Sequence, residues 1–163
     1  LFKLILLFFF LIRTLFADNH ILEQENFEAW QYTCVSEQKQ KICDLRELVF
    51  YSNTNEVVSY ISITINPDKL TQMQIAFPHA VNLKSPIKLQ IDEKDPIDLN
   101  FAYCNQSACF VAEIIGENFV NFFKAGNQIS IKALFLDNRE ATITYSLKGF
   151  TAGYNRLYSS INN

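Results

Sequence analysis

The chain has 163 residues, of which 49% are hydrophobic and 19% charged, and its formal net charge is −3. A single domain of this length buries about two thirds of its unfolded surface, so it can form a core without depending on disulfides. The mild acidity and the lack of a lysine and arginine cluster argue against a nucleic-acid-binding protein, because phosphate contacts need clustered cations.

The N-terminal segment has the order of residues that is typical of a secretory signal peptide. Lys3 precedes an apolar run over residues 4–12, and a short segment ending at Ala17 leads into polar residues. A membrane span needs about 20 apolar residues, roughly twice this run. We therefore expect a cleaved signal peptide at 1–17, with an uncleaved membrane anchor or a buried element as alternatives. Residues 18–26 are expected to be a solvated leader, and 27–163 the folded domain.

The first half of the domain has a hydrophobic period of two, which indicates strands. Residues 30–34 and 42–51 are predicted strands, and the turn residues 52–55 follow the second. The clearest alternation comes next, where Ile61, Ile63 and Ile65 share one face and polar residues occupy the other.

The second half continues this pattern. Residues 87–91 alternate before a charged turn, and 97–104 lead through a four-residue loop into 109–113, which predicts a hairpin. Residues 128–135 and 140–146 predict another hairpin. Many short strands with short turns predict an all-β protein, an antiparallel β-sandwich of the immunoglobulin-like kind, with a barrel as the alternative.

Two segments have a helical pattern instead. Residues 117–124 place three phenylalanines at helical spacing, and Gly126 follows where a C-cap glycine is common. We predict one short helix that bridges two strands. Residues 151–161 predict a C-terminal helix packed on the sandwich, with a frayed terminus as the alternative.

The four cysteines form two close pairs, Cys34 with Cys43 and Cys104 with Cys109. Each pair flanks a predicted strand connection, which brings its Cα atoms within the separation that a disulfide needs. Three connectivities are open, and proximity favours the two local bridges. Zinc binding and redox catalysis are weaker alternatives, because only the second pair has a zinc-like spacing and neither has the two-residue spacing of thiol oxidoreductases.

The sequence offers no catalytic, cofactor-binding or metal site. His79 is the only histidine expected within the fold, so a serine triad or a histidine-rich metal site is hard to build, and we expect His79 to be exposed near a strand start. Asp92, Glu93 and Asp95 lack the ligand spacing of a calcium loop. We predict that these acids form a solvated turn.

Several short motifs, each present once, occur together and span nearly the whole domain. They are the strand at 30–34 followed by Cys43, the FVA run at 110–112 after the second cysteine pair, the helix end KAG at 124–126, and SLKGF at 146–150. In combination they resemble the invasion associated locus B proteins of Gram-negative bacteria. The resemblance implies an exported all-β domain linked to entry into host cells, with no established catalytic activity and no active-site residues to transfer.

Two classes of function follow. The favoured one is a non-enzymatic, virulence-associated binding protein in the periplasm, on the cell surface or secreted, with an unknown protein or host-surface partner at a sheet edge or aromatic patch. It contacts the membrane only through an uncleaved signal segment. The alternative is a small periplasmic enzyme or inhibitor with converging carboxylates.

The SLKGF motif at 146–150 has its own two interpretations. We expect Leu147 and Phe150 to pack in the core and Gly149 to allow a turn with positive φ. The alternative is a recognition loop that uses an exposed Lys148.

Overall fold

The computed structural model describes residues 20–38 and 40–162. Within these ranges the protein has two antiparallel sheets and two helices, which confirms the predicted all-β sandwich with its bridging and C-terminal helices. No helix in the described residues is both long and apolar enough to cross a membrane. The predicted signal peptide at 1–17 lies outside the described residues.

The elements follow one another along the chain with short connections. They are β1 (His20–Phe27), β2 (Trp30–Glu37), β3 (Gln40–Phe50), β4 (Val57–Ile65), β5 (Thr71–Phe77), β6 (Ile87–Ile91), β7 (Ile97–Leu99), β8 (Tyr103–Cys104), β9 (Cys109–Ile115), α1 (Glu117–Ala125), β10 (Gln128–Leu134), β11 (Glu140–Ser146) and α2 (Phe150–Ser159). A 3-10 turn, Ser160–Asn162, follows α2.

The larger sheet has seven strands in the order β1-β2-β3-β4-β5-β9-β8, and the smaller has four in the order β11-β10-β6-β7. Strands β1 to β5 form a meander, because each pairs with the next along the chain. The bridging helix α1 connects β9 of the larger sheet to β10 of the smaller one.

Helix α2 packs on one face of the larger sheet, which we call the inner face, and helix α1 packs against α2. Trp30 of β2 lies against Phe150 of α2, with ring centroids 5.0 Å apart, and Phe150 contacts Phe123 of α1 at 5.3 Å. Helix α2 also approaches β3 closely: a Cβ built at Gly153 would lie 2.5 Å from a methyl carbon of Leu45. The smaller sheet covers the rest of the inner face, and Trp30, Phe123, Phe150 and Leu45 are all buried in the core.

The described part of the expected solvated leader, from residue 20 onward, is a strand. Residues 20–27 form β1, which pairs with β2 along its length although most of its side chains are exposed. Arg156 of α2 holds this strand, because its Nε lies 2.7 Å from Glu25 Oε1 and its Nη2 pairs with Glu23. Backbone pairing and a helix over 130 positions away along the chain therefore order a segment that has no hydrophobic alternation of its own.

Two further details differ from the sequence prediction. Strand β5 was not predicted, yet it lies between β4 and β9 in the larger sheet. The continuous strand predicted at 97–104 is divided, because β7 pairs with β6 in the smaller sheet and β8 pairs with β9 in the larger one. The chain thus changes sheets at residues 100–102.

Candidate functional site

The outer face of the larger sheet, opposite the helices, carries the candidate site. Contacts from α2 and β11 reach residues of the inner face, such as Trp30, Leu45 and Glu47. Side chains of a strand alternate between its two faces, so Asp44, Arg46 and their cross-strand partners project away from this packing.

A shallow cavity of about 390 Å³ lies on the outer face. Its main polar lining residues are Gln31, Thr33, Asp44, Arg46, Thr64 and Gln74. Val35, Ile42 and Leu48 add apolar surface. The site is therefore a mixed surface on rigid strands rather than a loop.

Strand register brings these side chains together, since residues directly opposite on paired strands point to the same face. One row crosses the sheet through Thr33, Asp44 and Thr64. The next row contains Gln31, Arg46, Ser62 and Gln74. Two adjacent rows of hydroxyl, amide and charged groups thus form the floor of the cavity.

An ion pair occupies the centre of this floor. Asp44 Oδ2 accepts hydrogen bonds from Arg46 Nε at 2.8 Å and Nη2 at 2.7 Å. Burial raises the pKa of the Asp44 carboxyl, and the charge and hydrogen bond of Arg46 oppose that change. The guanidinium carbon lies 4.7 Å from the centre of the Tyr60 ring, so Arg46 is held from two sides.

An aromatic cluster continues the outer face beyond the cavity. The Phe110 ring lies 6.4 Å from Tyr60 and 4.9 Å from Tyr103, with which it stacks. The Tyr103 side chain is 47% exposed, and its hydroxyl accepts a hydrogen bond of 2.6 Å from Gln74 Nε2. This bond links the aromatic cluster to the polar floor.

The two disulfides cross-link neighbouring strands near their hairpin turns. Cys34 and Cys43 are bonded across β2 and β3, and Cys104 and Cys109 across β8 and β9. Each pair lies in register, with Cα atoms 4.0 Å apart. The second bridge adjoins Tyr103, so it holds this exposed ring on the short edge strand β8.

A buried acid lies on the inner face of the same β3 strand. Glu47 Oε1 accepts a hydrogen bond of 2.9 Å from the Ser146 N–H, while the Ser146 carbonyl accepts one of 2.8 Å from Trp30 Nε1. Glu47 Oε2 has no partner among the described residues, and burial raises the pKa of this carboxyl to about 7. These contacts join the end of β11 to the larger sheet.

Among the described residues, the two carboxyls whose pKa is raised do not form the pair that an acid-base enzyme would use. Asp44 and Glu47 both have a raised pKa, but they project from opposite faces of β3. Glu23 and Glu25 are engaged by Arg156. Within the described ranges no three histidine, cysteine or acidic residues are grouped as metal ligands.

Lys148 is exposed in the turn between β11 and α2, on the side of the helices. Its N–H donates to Ser146 Oγ at 3.2 Å, and its carbonyl accepts from the Ala29 N–H at 3.4 Å. Gly149 has a φ of 85°, and a Cβ there would lie 1.9 Å from the Phe27 carbonyl oxygen. The turn therefore has the predicted packing role, and its lysine is not part of the outer-face cavity.

Two other residues considered from the sequence have structural contacts. His79 is exposed as predicted, and its Nε2 lies 2.8 Å from the carbonyl oxygen of Asn105. The carboxylate of Asp92 accepts hydrogen bonds from the N–H groups of Asn127 and Gln128. Asp92 thus ties the turn after β6 to the start of β10, a role that its local sequence does not indicate.

Sequence reasoning missed every residue of the cavity floor. Asp44 and Arg46 lie in a predicted strand, and the signal available was their position on its polar face, two residues apart. Gln74 lies in the strand that was not predicted. Which strands become neighbours determines the site, and single-strand periodicity does not contain that information.

Comparisons with known proteins agree on one family. A model of the "Invasion associated locus B (IalB) protein" family matches residues 30–158. "Invasion protein B" of Bartonella bacilliformis is 26% identical over 140 residues, 83% of this chain and 74% of the relative. An invasion protein B homologue of Brucella abortus is 22% identical over 135 residues, 82% of this chain and 78% of the relative.

A solved structure has a similar fold. The crystal structure of invasion associated protein B from Bartonella henselae superimposes with a TM-score of 0.74 at 23% identity, covering 84% of this chain and 95% of that chain. This similarity supports the two-sheet architecture of the present chain, because the superposition covers nearly the whole of the solved protein.

Proposed function

This chain belongs to the invasion associated locus B family, and from that premise we propose that it is an exported, non-enzymatic binding protein that acts in entry into host cells. Its binding surface is the outer face of the larger sheet. The relatives carry the name invasion protein B, which supports the process, while the surface supports the mode of action.

The outer-face cavity and its adjoining aromatic cluster carry the proposal. Interface cores are enriched in tyrosine, phenylalanine and arginine, and here Arg46, Tyr60 and the exposed Tyr103 surround the buried Phe110 ring. Rigid strands hold all four, so binding requires little ordering of the protein. A pre-organised surface loses less entropy on association than a loop does.

Two features support export. Disulfides form and persist in oxidising compartments and are rare in the cytosol, and this domain has Cys34–Cys43 and Cys104–Cys109. The predicted signal peptide at 1–17 provides a route to such a compartment. The proposed location is therefore the periplasm, the cell surface or the medium outside the cell.

The experiment replaces the chromosomal gene of the source bacterium with single variants and counts internalised bacteria. Thr64→Arg places a long cation on the cavity floor. Thr144→Arg is the matched control, because Thr144 is an exposed strand threonine on the outer face of the smaller sheet. We expect Thr64→Arg to lower entry to the level of a gene deletion and Thr144→Arg to enter like the wild type.

Both variants need equal periplasmic or released amounts, measured by immunoblot, and equal melting temperatures. Wild-type entry by the Thr64→Arg strain would refute the outer face as the functional surface. An equal loss of entry in both strains, with stable protein, would also refute it, because the effect would not depend on which sheet carries the substitution.

A further inference from the structure

We infer that the outer-face cavity is a binding site for the rings of a neutral saccharide. The inference rests on the proposed function, because it assigns a ligand class to the same surface. It follows from three properties of the cavity lining, namely its charge, its hydrogen-bonding groups and its adjoining apolar surface.

The charge of the cavity favours an uncharged ligand. Among its lining residues only Asp44 and Arg46 are ionisable, and they neutralise each other at 2.7 Å. A phosphate, sulfate or sialic acid would need a cation that is not already paired. A cationic ligand would need an acidic side chain that is not already paired, and Asp44 is paired with Arg46.

The hydrogen-bonding groups match those of sugar hydroxyls. Amide and hydroxyl side chains can both donate and accept, and the floor combines Gln31, Gln74, Thr33 and Thr64. Gln31 donates from its amide nitrogen to Asn26 Oδ1 at 3.0 Å, and Gln74 donates to Tyr103. These bonds orient both amides, and their carbonyl oxygens accept no hydrogen bond within the described part of the chain.

The surrounding surface supplies the apolar contact that a pyranose ring needs on its C–H face. Val35, Ile42 and Leu48 line the cavity, and the exposed Tyr103 ring adjoins it through Gln74. A volume of about 390 Å³ lies within the roughly 300–1,000 Å³ range of small-molecule sites. The hydroxyl and amide groups of the two rows would lose their hydrogen bonds to water beneath a lipid or an aromatic cofactor, so they favour a hydroxylated ligand.

The test probes the purified, disulfide-bonded protein with immobilised neutral, sialylated and sulfated oligosaccharides. We expect binding to neutral oligosaccharides, and competition by the same sugars in solution. Gln31→Ala should weaken it about five- to tenfold, as the loss of one hydrogen bond does, and Asp44→Asn by at least as much. Gln128→Ala, an exposed strand glutamine of the smaller sheet, should bind like the wild type.

Several outcomes would overturn the inference. These are no binding to any neutral oligosaccharide, a preference for the charged ones, or equal binding by Gln31→Ala, Asp44→Asn and Gln128→Ala. A dimer in sedimentation that Thr64→Arg dissociates would assign the face to a second copy of the chain.

Failure here is distinguishable from failure of the proposed function. If Thr64→Arg abolishes entry but no neutral oligosaccharide binds, the surface is functional and its ligand is not a saccharide. Periodate oxidation of host-cell glycans, at a concentration that cleaves the vicinal diols of neutral pyranose rings and not only the side chains of sialic acids, gives an independent check. It should abolish binding of the labelled protein to these cells, and unchanged binding would overturn the saccharide assignment.

Discussion

The buried Glu47 carboxyl should contribute a loss of stability as the pH rises from acid to neutral. In the unfolded chain this group has an ordinary pKa of 4.5, whereas burial raises the folded-state value to about 7. Below pH 4.5 both states are protonated and the folded state has no penalty. As pH rises from 4.5 to 7 the unfolded chain releases a proton that the folded chain retains, so the free energy of unfolding falls.

The size of the effect follows from the change in pKa. One pKa unit corresponds to about 1.4 kcal/mol, so the shift from 4.5 to about 7 gives a loss of at most about 3.5 kcal/mol, and partial solvation of the carboxylate lowers the expected loss to roughly 2–3 kcal/mol. Nearly all of it should be present by pH 8. A single domain is stable by about 5–15 kcal/mol, so this one group would account for a considerable part of the total.

The assay is urea unfolding of the wild type and Glu47→Gln at pH 4.5, 6, 7 and 8. Glutamine retains an oxygen that accepts from the Ser146 N–H, and it has no charge to bury. We expect the two proteins to differ little at pH 4.5, and the variant to be more stable by about 2–3 kcal/mol at pH 8. The difference between the proteins removes contributions from other titrating groups, such as Asp44.

Glu140→Gln is the control for loss of one negative charge, because Glu140 is exposed at the start of β11. Its stability should follow the wild-type curve at every pH. Parallel curves for wild type and Glu47→Gln would refute the reasoning. They would mean that water or local relaxation solvates the Glu47 carboxylate in the folded protein.

Two further predictions concern the framework. Replacing Cys104 and Cys109 with serine should lower the free energy of unfolding by only about 2 kcal/mol, because the closed loop is short. The melting temperature should fall while circular dichroism still reports a folded protein, and complete unfolding would contradict this. Trp30→Ala should cost about 3–5 kcal/mol in urea unfolding, because it leaves a cavity against Phe150 and removes the bond to the Ser146 carbonyl. A near-neutral result would be incompatible with a core position.

Sequence periodicity was most informative where a strand has one buried and one exposed face. In β6, the buried Ile87, Leu89 and Ile91 alternate with polar residues, and the predicted bounds match the observed strand. The bounds predicted for helix α1, 117–124, also nearly match the observed Glu117–Ala125, and of the phenylalanines that carried the prediction Phe123 is buried whereas Phe122 is exposed. In such segments local sequence and final packing impose the same pattern.

Strands β1 and β5 were not predicted, and the reasons differ. In β5 the buried Met73 and Ile75 alternate with Gln72 and Gln74, so the period-two signal was present there. In β1 the signal is absent, because backbone pairing and polar side-chain contacts hold this edge strand without an apolar face. Its side-chain anchor, Arg156, is far away in the sequence.

The candidate site could not be predicted because the identity of the covered face is a long-range property. Along β3 the acid Glu47 points inward and the apolar Leu48 points outward, so hydropathy alone would assign these two residues to the wrong faces. Helix α2 determines the inner face, and it begins about 100 residues later, at Phe150.

The same alternation gives two nearby acids separate roles. Asp44 lies on the outer face with Arg46, while Glu47, three positions along, lies between the sheets against Ser146. Removing the charge of Asp44 should therefore alter binding, and removing that of Glu47 should alter the pH dependence of stability. Because the backbone of β3 separates the two groups, each effect can be measured without the other, which makes this strand the most direct test of the assigned faces.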